Sequence, residues 1–233
     1  MDTMPMPDGG TMPMAWMPMC GQSWLAAAAS FLAMWTPMMA AMMLPSLVPM
    51  LWRYRQSVGR AGELPRLLPT ALVAAGYLLV WTLLGAAVYP LGAAAAAFTM
   101  RQSLLARIEP CAIGLLVLTA GALQFTRWKA HHLACCRGRH CHEPLRGAAA
   151  LPSDPLTALR HGLRLGLHCS QCCAGLTAVL LVSGIMDLPA MLAVTAGITL
   201  ERLAPAGERV ARMLGVILIG AGFVLVLRAG ALG

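Results

Sequence analysis

The sequence predicts an all-α protein, a polytopic transmembrane helical bundle of about six spans behind a disordered Met/Pro-rich N-terminal tail. Two observations carry this. Of the 233 residues, 59% are apolar and only 11% charged, against roughly 45–50% and 25% in an ordinary soluble domain. Three stretches, near Leu25 to Leu51, Leu67 to Val88 and Leu165 to Ile185, are each long enough to cross about 30 Å of hydrocarbon with almost no charge inside. The organisation expected is a tail over residues 1–23 and a transmembrane domain over 24–233, with a Cys/His-rich loop at about 127–164.

The tail opens the chain as MDTMPMPDGGTMPMAWMPMC. Interleaved prolines and glycines leave it without helical or strand period, so it is expected to be disordered by itself. Thirteen of the 17 methionines fall in the first 50 positions, and exposed thioethers in such a segment fill no core. Thioether sulfur is a soft neutral donor that suits Cu(I) better than zinc, magnesium or calcium. Met12, Met14, Met17 and Met19 are therefore candidate donors outside the membrane, with a merely biased leader as the bland alternative. The first basic residue is Arg53, too late for the n-region of a removable signal peptide, so the first span is expected to be retained.

Within that span Met34, Met38 and Met42 recur every four residues, with Met39 and Met43 one position on. That spacing stacks them on one helical stripe, which either packs against neighbours or passes a soft ion from site to site. Pro37, Pro45 and Pro49 free carbonyls that lipid cannot satisfy, so a kinked span facing other helices is expected. Beyond the second span, Leu91 to Glu109 mixes alanines with Arg101, Gln102, Arg107 and Glu109 and reads as a helix lying on the outer surface. Three weaker spans, Pro110 to Phe125, Leu188 to Leu203 and Met213 to Leu227, are near or below the roughly 17 residues a straight crossing needs. One of them is expected to be re-entrant, tilted or covered by a partner.

Alternating connections then carry 14 basic residues on one side and three on the other. The basic side is expected to be cytoplasmic, both termini extracytoplasmic, and the location a bacterial inner membrane. The net charge of +8 is spread through short connections and forms no polar domain, which excludes nucleic acid as a partner.

All six histidines and six of the eight cysteines lie between His131 and Cys173. The loop contributes His131, His132, Cys135, Cys136, His140, Cys141 and His142, where a reducing compartment favours ligating or reactive thiols over structural disulfides. His168, Cys169, Cys172 and Cys173 follow where the fourth span leaves the cytoplasmic interface. Cys169, Cys172 and Cys173 fall at i, i+3 and i+4 and share a helical face, a soft-metal donor set with His168 or a loop thiol as a further ligand. Competing readings are plain packing, a structural zinc knot and a redox-active Cys-x-x-Cys pair. Asp187 and Glu201 are the ionisable groups expected at membrane depth, Glu201 with Arg202 reading equally well as an interfacial anchor.

Trp35-T-P-Met38-Met39-A-A-Met42-Met43-L-Pro45, the segment Lys129 to Arg137, Cys169-S-Q-Cys172-Cys173, Gly184-I-Met186-Asp187-L-P-A-Met191 and Glu201 occur in that order. Together they resemble the bacterial family described as predicted metal-binding integral membrane proteins, a domain of unknown function (DUF2182) sometimes labelled copper chaperone. The resemblance runs from about Trp35 to Arg202. Cys136, Cys169, Cys172 and Cys173 match the pattern, whereas the family usually has cysteine at His132, glycine at Gln171 and tryptophan at Ala174. The Met-x-x-x-Met spacing also resembles, over a short stretch, the pore motif of eukaryotic high-affinity copper transporters.

The sequence thus predicts a membrane protein that binds Cu(I), or alternatively zinc, as a carrier, chaperone or transporter rather than an enzyme. Its expected partners are the lipid bilayer, the metal ion and a copper-accepting metalloprotein or membrane complex subunit. A membrane thiol-disulfide oxidoreductase and a structural zinc-binding subunit are the alternatives.

Overall fold

The structure, a computed structural model, describes residues 3–5, 11–13, 22–57, 63–101, 103–136, 155–184 and 187–232. Seven helices dominate them: α1 (Trp24–Ser57), α2 (Glu63–Arg101), α3 (Ser103–Leu123), α4 (Arg127–Cys136), α5 (Pro155–Ser183), α6 (Leu188–Leu203) and α7 (Gly207–Leu232). In the tail, where no strand period was expected, β1 (Thr3–Pro5) and β2 (Thr11–Pro13) form a short antiparallel ladder with Met4 opposite Met12.

Among the described residues, four helices are long and apolar enough to cross a membrane: Trp24–Trp52, Leu67–Phe98, Pro155–Ser183 and Gly207–Ala231. A fifth crossing results if Pro110–Leu123 and Arg127–Cys136, bent by 66° at their junction, act as one span. The described residues thus show four or five of the about six expected spans. α6 has 16 residues, just under the roughly 17 of a straight crossing. The expected surface helix at Leu91 to Glu109 is not a separate element: its alanines, the strongest helix formers, continue α2 to Arg101, and the remainder opens α3.

Local chemistry marks the helix ends. Ser23 Oγ accepts from the Ala26 N–H at 3.3 Å to cap α1. Pro37, Pro45 and Pro49 lie inside α1 without ending it. Thr126 Oγ1 accepts from the Lys129 N–H at 3.2 Å and so starts α4 after the bend. Gly184 ends α5 at φ +110°, a left-handed conformation open to glycine, and Asp187 occupies the N-cap position of α6 without a side-chain capping bond.

α3 packs along α7 and α2 along α5, while α1 lies against α2 and α6, and α4 against α5. Glycines permit the closest approaches, as small residues do between helices in lipid. A Cβ on Gly121 would stand 2.9 Å from the Ile219 nitrogen, and one on Gly222 would stand 2.8 Å from the Leu118 nitrogen. Gly222→Leu is therefore expected to prise α7 from α3 and cost about 1–3 kcal/mol, read as a lower thermal midpoint in detergent. Gly220→Leu, with nothing within 4 Å of the new Cβ, should leave the midpoint unchanged. Leu79, Leu83, Leu192, Val216, Ile217 and Phe223 are exposed on the outside, where hydrocarbon rather than water is the favourable neighbour.

Candidate metal centre

The interior stripe of α1 is Phe31, Trp35, Met39, Met42, Met43 and Leu47, all buried. Met34 and Met38 are only partly buried and pack at its edge. The inward register is thus 35–39–43 with Met42 beside it, rather than 34–38–42. Aromatic packing sets it: Trp35 lies against Gly85 of α2 and donates its indole N–H to the Trp81 carbonyl at 2.9 Å, and Phe31 stacks on Trp35. With Trp35 fixed, Met39 and Met43 follow one and two turns later on the same face.

Opposite that stripe, α5 presents Cys169, Cys172 and Cys173, each at most 2% exposed, and α4 adds buried Cys136. All four are free thiols. Side-chain hydrogen bonding couples Cys136 to Cys172, Cys172 to Cys173 and Cys173 to Cys169. Cys169 Sγ then reaches Met43 Sδ at 3.9 Å, and the Tyr77 hydroxyl of α2 lies 2.8 Å from the same Cys169 sulfur. Five sulfur atoms from α1, α4 and α5 are therefore contiguous. Because α5 begins at Pro155, ten residues before the expected start of that span, the thiols sit near the middle of the helix and not in its first turns.

Three charged residues surround the thiols. Lys129 Nζ donates to Glu201 Oε2 at 2.7 Å and to the Cys172 carbonyl at 2.6 Å, with Lys129 and Glu201 both buried. Arg202 donates to Ser46 Oγ at 3.1 Å, to Cys136 Sγ at 3.5 Å and to Cys173 Sγ at 3.7 Å. Glu201 and Arg202 are thus not an interfacial anchor: they point inward from adjacent positions of α6, and Glu201 pairs with Lys129. Asp187, the other expected polar group, is half-buried at the start of α6 and belongs to no such network in the contacts described.

At the rim, His132 of α4 and His168 of α5 are half-buried and bring their Nδ1 atoms to 3.2 Å. His168 pairs with His132 instead of joining the thiol trio. Cys135 is disulfide-bonded, so it offers no free thiolate, contrary to the expectation of reduced loop thiols. His131 Nε2 lies 3.8 Å from its sulfur. His140, Cys141, His142, Met14, Met17 and Met19 lie outside the described residues, and Met12 is placed only as a backbone position of β2. Among the described residues, no group of three or more His, Cys, Asp or Glu side chains is arranged to hold a metal ion as it stands.

Tyr77 and Ser46 were not singled out by the sequence, and Lys129 was named only as the start of a motif segment. A lone tyrosine or serine in an apolar helix carries no pattern, and a single lysine beside a basic loop reads as a topology signal.

Apolar helices long enough to cross a membrane, packed around buried free thiols and a thioether, fit the class of integral membrane proteins. The chain belongs to the copper chaperone family: residues 32–225 match the family described as PpoB2: Copper chaperone. That stretch includes all seven helices except the first turns of α1 and the end of α7. Comparison with curated proteins finds no match, and comparison with solved structures finds none either. Family and helices together fit a copper-associated membrane protein.

Proposed function

We propose that this chain holds Cu(I) inside the membrane on Cys136, Cys169, Cys172 and Cys173, with Met43 as a neutral fifth donor, and lends it to a copper-accepting protein. The contiguity of those five sulfurs across three helices is the observation that carries this reading. Copper is cargo here, so the role is that of a carrier or chaperone and not of an enzyme. When one Cu(I) settles between two neighbouring thiols, a single S–Cu–S bridge replaces their S–H···S contact and two protons are lost to solvent. Cu(I) is satisfied by two or three soft sulfurs, so neighbouring pairs along the chain suffice and the ion has successive places to rest.

Charge supports the same reading. Cu(I) on two thiolates bears one net negative charge, which is costly in a low-dielectric interior without a counter-charge. The Arg202 guanidinium already touches Cys136 and Cys173. Arg202→Gln is expected to weaken Cu(I) binding by about 10–100-fold, the usual effect of losing a supporting group, while Arg202→Lys restores part of it. Both are read by anaerobic competition against a chromophoric Cu(I) chelator.

The tail methionines are assigned to capture outside the cell, and the chain to a bacterial inner membrane with both termini extracytoplasmic. The support is the basic-residue asymmetry of the sequence. The disulfide at Cys135 is the one observation favouring a thiol oxidoreductase. The same competition titration, run with Cu(I) and with Zn(II), tests the main reading. Tight Cu(I) uptake with proton release supports it, and zinc uptake without Cu(I) affinity contradicts it.

A further inference from the structure

The rim histidines form a station of their own. We propose that His132 and His168 make a two-nitrogen metal site one helical turn outside the thiols, through which Cu(I) enters and leaves Cys136 and Cys172. This rests on the copper reading above and adds a site to it.

The geometry supplies three independent reasons. The two Nδ1 atoms, from different helices, are 3.2 Å apart, a separation that two nitrogens span at a near-tetrahedral angle when each is about 2.0 Å from one ion. Two positions then remain for an incoming or departing ligand. Each histidine also precedes a thiol by four residues on its own helix, His132 before Cys136 and His168 before Cys172. Such pairs lie about 5–6 Å apart on one helical face, and Cys136 and Cys172 themselves touch. Finally, burial rises along the path: the histidines are half-buried, whereas Cys136 is 7% and Cys172 2% exposed.

The chemistry gives the path a direction. Imidazole is a harder ligand than thiolate, so a soft ion held by the histidines is drawn inward. Loading the pair frees both Nδ1 atoms by leaving each ring proton on Nε2, and it requires no change in net ring charge. Trp128 meets His132 edge-on, with ring centroids 4.7 Å apart, and holds its ring toward α5. His131 lies with Nε2 3.8 Å from the Cys135 sulfur and meets the His132 ring edge-on at 5.4 Å between centroids.

The test uses the full-length protein in detergent, loaded anaerobically from a chromophoric Cu(I) chelator complex. The double variant His132→Ala/His168→Ala is expected to keep the sulfur-bound copper at wild-type affinity and to lose only the weakly held ion, while loading and unloading of the sulfur-bound ion both slow by about tenfold or more. Unchanged rates overturn the proposal, as does a loss of affinity, which would make the histidines ligands of the thiol site itself. A second variant, with Cys136, Cys169, Cys172 and Cys173 all changed to Ser, is expected to retain weakly held copper with a nitrogen-only shell in X-ray absorption; absence of such copper also overturns it. If the wild-type protein takes up no Cu(I), the copper reading itself fails. If it does so on sulfur at rates indifferent to the histidines, only this inference falls.

Discussion

Changing Cys136, Cys169, Cys172 and Cys173 together to serine is expected to lower Cu(I) affinity by at least about 100-fold, beyond what loss of a supporting group alone produces. The exchange preserves shape and replaces a soft donor by a hard one. All four thiols are free and buried in one contact chain, so neighbours partly substitute for one another. Single changes should therefore cost much less than a quarter of the combined effect in free energy. Cys111, half-buried on α3 and outside that chain, provides the control, since Cys111→Ser should leave affinity unchanged. Equal affinity in the fourfold variant and the wild type would remove the thiols from the account.

Lys129→Met should be the most destabilising single change. It leaves Glu201, 1% exposed, facing no ammonium group. Removing one partner of a buried ion pair costs about 3–5 kcal/mol, whereas replacing both by apolar groups is often neutral. The double variant Lys129→Met/Glu201→Leu is accordingly expected to recover most of the loss. Thermal unfolding in detergent measures both. A Lys129→Met protein as stable as wild type would mean that Glu201 reaches water, against the geometry described.

The long spans were legible because the signal that defines them is local: α1, α2 and α5 contain uninterrupted apolar runs that lipid requires. Their limits were not. Alanine carries α2 past Leu91 because its helix propensity needs no partner, and α7 begins at Gly207 because Glu208, Arg209 and Arg212 form its polar first turns before the apolar run. The thiol trio was readable from its i, i+3, i+4 spacing, and Cys136 from the family pattern. The methionine register was not, because spacing by four occurs twice in α1 and only Trp35 against Gly85 decides between them. Lys129 and Glu201, separated by 72 positions, were invisible as a pair for the same reason. Contacts between distant segments are made by the fold; alone, Glu201 resembled an interfacial anchor and Lys129 a topology signal.

The most direct measurement is X-ray absorption at the copper edge on anaerobically Cu(I)-loaded, full-length protein. A first shell made of sulfur, lost when Cys136, Cys169, Cys172 and Cys173 become serine, is the result the account predicts. A shell of nitrogen and oxygen alone, or a sulfur shell indifferent to those four substitutions, would contradict it.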